Sequence, residues 1–167
     1  MIYGIVTADR NWGIGKNGRQ ITNIPDDIRY IRAVTTGQTA VMGRHTCESI
    51  PTAQLQMNRT NIVLTGDSDF KAQGAEVCTS PEEIISRAAE LQNDIYVLGG
   101  ADTFNTMLPH FDEIQVTFID YSYDVDTYFP DLDKMPEWVL VEESEEQTHF
   151  DTVYYLRRYL RRKDYRP

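Results

Sequence analysis

Apolar and β-branched residues fill positions 1–8, thin out over a stretch rich in Gly, Asn and Arg at 9–24, and return with helical spacing from Pro25. The first run predicts a strand, and the second, which has no sustained period, predicts a long loop. Loops longer than about 12–15 residues in compact domains usually serve function, so 9–24 is expected to be a lid over a site. Pro25 sits where a first helical turn should begin, followed by Asp26 and Asp27, which suit a helix N-terminus. Asp27 and Ile31 are one turn apart with Ile28 beside them, so a carboxylate shares a face with apolar side chains. Further strands are expected at 39–42, 61–65 and 95–98, and a turn with a short helix at 43–50. Ser80-Pro81-Glu82-Glu83 reads as a capping box whose helix buries Ile84, Ala88 and Leu91. Gly99-Gly100 reads as a tight turn, and 101–108 as a helix with Phe104 and Leu108 one turn apart. Strand signals then dominate, at 113–119, 138–141 and 152–160. Strands alternating with helices, then consecutive strands, predict a single-domain α/β fold. Its central sheet should be mainly parallel, with antiparallel C-terminal strands and flanking helices.

The 167 residues, 41% hydrophobic and 25% charged, fit one domain able to bury a core without staples. That domain is expected to span 1–162, with a short basic tail at 163–167. Cys47 and Cys78 show neither CxxC spacing nor a dense His/Cys neighbourhood, so neither a metal site nor a disulfide framework is expected. The net charge of −10 argues against nucleic acid or an anionic membrane as the main partner. The charge is uneven: from Arg157 onward six basic residues face only Asp164, which leaves a body of net −15. That basic run reads as a solvated terminal strand. With no apolar stretch of about 20 residues and no basic leader before an apolar run, the chain is expected in the cytoplasm.

Gly13, Gly15 and Gly18 spell a literal GxGxxG, but a dinucleotide fingerprint needs the helix to open at the glycines. Here the helix signal arrives only at Pro25, so a mobile glycine loop is the favoured reading. A better anion site is Met42-Gly43-Arg44-His45-Thr46, a strand ending at a glycine before a short helix, where free N–H groups and Arg44 could hold phosphate. A plain surface arginine fits those five residues equally well. Gly99-Gly100-Ala101 repeats the geometry, and two such turns at strand C-termini point to an extended polyanionic ligand. Asp27 has two readings that the residues leave open. It either only stabilises its helix N-terminus or enters an apolar cleft, where a carboxylate would recognise a ring bearing adjacent N–H and amino donors.

Seven ordered segments carry a resemblance over nearly the whole chain. They are Ile14-Gly15, Ile24-Pro25-x-Asp27, Val41-Met42-Gly43-Arg44-x-Thr46 with Glu48-Ser49-Ile50, Arg59-x-Asn61-Ile62-Val63-Leu64, Leu98-Gly99-Gly100-Ala101, Thr117, and Asp126-Thr127-x-Phe129-Pro130. Together they resemble the dihydrofolate reductase family of the chromosomal, NADPH-dependent type. The resemblance implies reduction of 7,8-dihydrofolate to tetrahydrofolate in one-carbon metabolism, by a monomer that is an antifolate target. It implies catalytic roles for Asp27 and Thr117, the first anchoring the pterin and the second assisting through its hydroxyl. Ile5, Ile28, Ile31 and Ile50 would line the substrate pocket, and Arg59 would pair with the glutamate tail's carboxylate. For NADPH, the resemblance implies Thr7, Ile14, Gly15 and Gly18 at the nicotinamide and lid. It further implies Gly43, Arg44, His45, Thr46, Leu98, Gly99, Gly100 and Ala101 at the phosphates, Leu64, Thr65 and Gly66 at the adenosine, and Phe104 near the nicotinamide.

The chain departs from the family's pattern in several places. Gln20-Ile21-Thr22 stands where an Leu-Pro-Trp or Met-Pro-Trp is usual, Ile31 where an aromatic is common, and Phe104 where a Tyr is frequent. The 52–58 segment is about two residues longer than in compact bacterial relatives, which offers Leu55 or Gln56 to the pocket. These changes imply slower turnover and weakened binding of diaminopyrimidine inhibitors, because less aromatic surface reaches the ligand. Two alternatives stand: a non-catalytic folate-binding homologue, and a riboflavin-pathway reductase on the same fold, against which Asp27 and Arg59 argue.

Overall fold

The structure, a computed structural model, describes residues 1–50, 55 and 58–167. The strands are β1 (Ile2–Ala8), β2 (Gly13–Lys16), β3 (Arg19–Gln20), β4 (Thr39–Gly43), β5 (Thr60–Leu64), β6 (Glu76–Cys78), β7 (Ile95–Val97), β8 (Glu113–Ile119), β9 (Thr127–Tyr128), β10 (Trp138–Glu143), β11 (Gln147–His149) and β12 (Thr152–Arg161). The α-helices are α1 (Pro25–Thr35), α2 (Arg44–Ser49), α3 (Pro81–Leu91) and α4 (Ala101–Met107). The main sheet runs β10-β12-β8-β1-β7-β4-β5-β6, with β11 on β12. From β8 to β6 every pairing is parallel, and the three pairings made by β12 are antiparallel. This is the expected α/β fold with antiparallel C-terminal strands.

Local chemistry explains the elements. β4 is buried from Thr39 to Met42, as a parallel strand covered on both faces should be. α1 has no side-chain cap at Ile24 and depends instead on Pro25 and the first-turn Asp26 and Asp27. In α3 the Ser80 hydroxyl accepts from the Glu83 N–H, while Glu83 reaches back to the backbone and hydroxyl of Thr79, one residue earlier than a standard capping box. Ile84 and Ala88 are buried beneath it, and Leu91 is only half-buried. α2 and α4 pack on β4, with α4 also on β7 and α3 on β6.

The stretch 9–24 is more ordered than the expected loop. β2 and β3 form a hairpin that pairs with β9 in a second, three-stranded sheet. Its turn, Asn17-Gly18, has φ of 52° and 76°, the two positive angles that a tight hairpin turn of this hand requires. The buried Asp9 carboxylate holds the hairpin's root, accepting from the N–H groups of Asn11, Gly13 and Tyr123. Trp12 is buried, stacked on Phe129 with Phe118 and Tyr159 at its edges. Glycines at 13, 15 and 18 carry no side chain, so the alternation that would reveal a strand is invisible in the sequence.

The basic C-terminal run also differs from expectation. Arg157 keeps only 16% of its side-chain exposure, lies 3.8 Å over the Phe118 ring and pairs with Glu143 and Asp133. Arg158 bridges Glu113 and Glu142, and Arg161 donates to the Phe111 and Leu108 carbonyls. Arg157 and Arg158 clamp β12 to its neighbours through Glu113 of β8, Glu142 and Glu143 of β10 and Asp133 of the turn before β10, while Arg161 ties it to the backbone ahead of β8. Residues 162–167 are exposed.

Candidate functional site

β1 and β4, strands distant in the chain, both pair with β7, and at the C-terminal ends of these parallel strands the sheet opens into a cleft of about 1570 Å³. Open α/β sheets place ligands at this edge. Ile5 and Thr7 reach the cleft from β1, Asp27 and Ile31 from α1, and Thr117 from β8. Residues 43–46 enter from the β4–α2 turn with Ile50 beyond it, 64–66 from the end of β5, and 98–101 from the β7–α4 turn. Ile14, Gly15 and Gly18 of the hairpin close one side.

Asp27 is half-buried at the apolar end, and both of its oxygens are engaged. Thr117 Oγ1 donates to Oδ1 at 2.8 Å and Thr7 Oγ1 donates to Oδ2 at 3.1 Å. Burial pushes the carboxyl upward from its ordinary value; the hydrogen bonds from Thr117 and Thr7 pull it back down, and the neighbouring Asp26 pushes up again. Asp26 also borders the cleft, but at its exposed rim, where it pairs with Arg29 and lies 3.4 Å from the Tyr154 hydroxyl. The helix-stabilising reading therefore suits the exposed Asp26, whereas Asp27 is the half-buried carboxylate held from the sheet by Thr7 and Thr117.

The two glycine turns meet directly. Gly43 N–H donates to the Gly99 carbonyl at 2.8 Å, and the Gly99–Gly100 peptide bond is cis. Gly99 has a φ of +122°, where side chains are rarely tolerated. Neither Gly43 nor Gly100 caps its helix with a side chain, so the first N–H groups of α2 and α4 face the cleft without an internal acceptor of that kind. A Cβ on Gly100 would meet nothing nearer than 3.8 Å, which leaves room for another backbone-sized group. Arg44 stands at this turn, but its guanidinium is shared between Glu48 at 2.9 Å and Asp67 at 3.2 Å, and stacks on Phe70. His45 Nε2 lies 3.3 Å from the Gly18 carbonyl, joining the hairpin tip to α2.

The structure brings most of the expected residues to one place but not all. Ile28 is 45% exposed and is not part of the cleft wall, since successive helical residues point about 100° apart. Arg59 also lies off the wall. Its Nε donates to Asn61 and its Nη1 to the Thr35 hydroxyl, and burial pushes its guanidinium down, with Arg32 adding to that. No carboxylate among the described residues pairs with Arg59. Phe104 lines the cleft yet is buried edge-on against Phe129, under Gly99. Leu55 packs with Met42, Cys47 and Val63 instead of facing the cleft, and Gln56 lies outside the described residues. Tyr30, Gln115 and Tyr154 were not expected on the wall. Gln115 could have been found, because it is two residues from Thr117 on β8 and so shares its face. It accepts from the Tyr30 hydroxyl at 2.6 Å.

Among the described residues no helix is long and apolar enough to cross a membrane. Comparison with known proteins matches residues 1–161 to the dihydrofolate reductase family. A dihydrofolate reductase of Enterococcus faecium is 37% identical over 146 residues, covering 87% of this chain and 86% of that protein. One from Neisseria meningitidis serogroup B is 31% identical over 158 residues, covering 92% and 96%. Among solved structures, dihydrofolate reductase from Enterococcus faecalis complexed with NADP(H) and RAB-propyl aligns with a TM-score of 0.85 at 29% identity, covering 97% of this chain and 96% of that one. The chain belongs to the dihydrofolate reductase family.

Proposed function

We propose that this chain reduces 7,8-dihydrofolate to 5,6,7,8-tetrahydrofolate with NADPH. The observation that supports it most is the Asp27 carboxylate, held by a hydroxyl on each oxygen at the apolar end of a cleft whose other end is built from two apposed glycine turns. That combination suits a flat ring with paired N–H donors beside a long phosphate-bearing cofactor.

The residues fit NADPH. The open backbone at Gly100, Thr46 and the uncapped N–H groups after Gly43 and Gly100 suit the diphosphate, Arg44 and His45 the 2′-phosphate side, and Leu64, Thr65 and Gly66 the adenosine. When bound, NADPH supplies the hydride that pterin C6 receives. Asp27 accepts from the pterin 2-amino group and N3–H, and its charge favours the ring protonated at N5, whose proton comes from solvent. Thr117 holds the carboxylate in place for that contact. Ile5, Ile31 and Ile50 pack on the substrate, and Ile28, off the cleft wall, is left without that role. Arg59 takes the substrate's tail carboxylate, a step that exchanges its present neutral partners for a charged one. The hairpin with Ile14, Gly15 and Gly18 excludes water over the reacting rings. Leu98 and Ala101 flank the phosphate turn, and Phe104 supports Gly99 from beneath.

The same reading takes residues 1–162 as one domain with a short basic tail at 163–167. It describes a cytoplasmic monomer that does not use nucleic acid, in keeping with the net charge of −10. Loss of NADPH absorbance with dihydrofolate, abolished by Asp27→Ala, is the expected result. Tight folate binding without turnover would make the chain a folate-binding homologue. Turnover of an aminopyrimidine in place of dihydrofolate would move it to riboflavin chemistry.

A further inference from the structure

Thr7 was expected beside the cofactor, yet its hydroxyl is committed elsewhere. Thr7 and Thr117 are register partners on the neighbouring parallel strands β1 and β8. Residues paired in this way stand on the same face about 4.8 Å apart. Both hydroxyls donate to one carboxylate, Thr7 to Oδ2 and Thr117 to Oδ1. Asp27 therefore straddles two strands, with its oxygens spread across them.

Rotation of an aspartate about its last bond is soft and roughly two-fold. A single hydroxyl would leave that rotation open; two, one per oxygen and on stiff β-branched side chains, close it. A ring presenting two adjacent N–H donors needs both oxygens in one plane at a set angle. From this geometry we infer that Thr7 is a positioning residue for the dihydrofolate ring, acting through Asp27, and not a contact of the cofactor. The inference rests on the proposed reaction and names a residue that its specificity for the ring depends on.

The pair also biases the charge state. An ionised carboxylate only accepts, so both hydroxyls can donate to it at once; a protonated one would force a hydroxyl to turn and accept. The groups facing Asp27 are Asp26 on its own helix, with Arg29 paired to Asp26, and the Tyr154 phenol from β12. Among the described residues β1 and β8 bring only the two threonine hydroxyls to it. Asp26 and burial both favour the neutral form, so the hydroxyls are the groups that oppose them.

Thr7→Val keeps the side-chain shape and removes the donor, whereas Thr7→Ser keeps the donor and removes a methyl. With NADPH saturating, Thr7→Val should raise the KM for dihydrofolate about tenfold. It should also move the acidic limb of the kcat/KM profile upward by about half to one pH unit. Thr7→Ser should restore both, and the KM for NADPH should stay within about twofold in either variant. A raised NADPH KM with an unchanged dihydrofolate KM and pH profile overturns the inference, as do equal defects in Thr7→Val and Thr7→Ser. Titration of the Asp27 carboxyl by carbon-13 NMR separates this idea from the assignment of substrate. An Asp27 titration indifferent to the Thr7 hydroxyl sinks the inference whatever the substrate. A Thr7-dependent titration in a chain that does not turn over dihydrofolate overturns the proposed reaction and leaves the Thr7–Asp27 coupling supported.

Discussion

Replacing Gly43 by alanine puts a Cβ 2.6 Å from the Thr103 hydroxyl oxygen, about 0.8 Å short of ordinary van der Waals contact. Thr103 is buried on α4, and Gly43 N–H is bonded to the Gly99 carbonyl, so neither side of the clash can retreat into solvent. Relief requires the β4–α2 turn to move away from the β7–α4 turn, at the place where the phosphates are proposed to sit. Overpacking of this kind costs about 1–3 kcal/mol. For a chain of this length that lowers Tm by roughly 2–12 °C. Thermal unfolding of Gly43→Ala, with KM for NADPH measured in parallel, tests both consequences: Tm should fall within that range, and the NADPH KM should rise while the dihydrofolate KM changes little. Because the clash is with one atom, adding Thr103→Ala should recover most of the lost stability, whereas Thr103→Val, which keeps a branch in place of the hydroxyl, should not. Wild-type Tm and KM in Gly43→Ala would refute the reasoning, and so would a double variant no better than the single one.

Asp27→Asn should lower turnover by about 10²–10⁴-fold. Burial raises the folded-state pKa of Asp27, so ionising it weakens the fold. Wild type therefore loses stability relative to Asp27→Asn as pH rises through that raised pKa, and the gap closes below about pH 3.9; denaturation at several pH values showing a constant or reversed gap would contradict this. Asp67→Asn removes one of the two carboxylates that compete for Arg44, and should lower the KM for NADPH about two- to fivefold, with less effect for NADH and at high salt. Ile31→Phe adds aromatic surface to the cleft wall and should tighten diaminopyrimidine inhibitors about two- to tenfold in an inhibition assay; unchanged inhibition would show that a ring at position 31 does not contribute to their binding.

The elements most legible in the sequence are those set by short-range chemistry. Pro25 with Asp26 and Asp27 opens α1, Ser80-Pro81 opens α3, and the apolar run at 39–42 forms the buried strand β4, because caps and burial patterns act within a turn or a few residues. The hairpin at 13–20 escaped because glycines erase alternation. The strands β6, β9 and β11 escaped because two or three residues are too few to display a period and, unlike the equally short β7, they form no continuous apolar run.

Asp27, the two glycine turns and their order along the chain were determined by the sequence itself, and so was the α/β class. Tertiary structure alone decided what those residues touch. Thr7 meets Asp27 across 20 positions and Thr117 meets it across 90, through the register of β1 against β8. The same dependence on register turned a basic run into the clamps at Arg157 and Arg158, and the packing of the loop after β5 against α2 placed Asp67 on Arg44, whose other partner, Glu48, is one helical turn away in the sequence. Side-chain type and spacing bound what a residue can do, but a hydrogen bond forms only within about 3 Å, and in a sheet that distance is set by strands far apart in the chain.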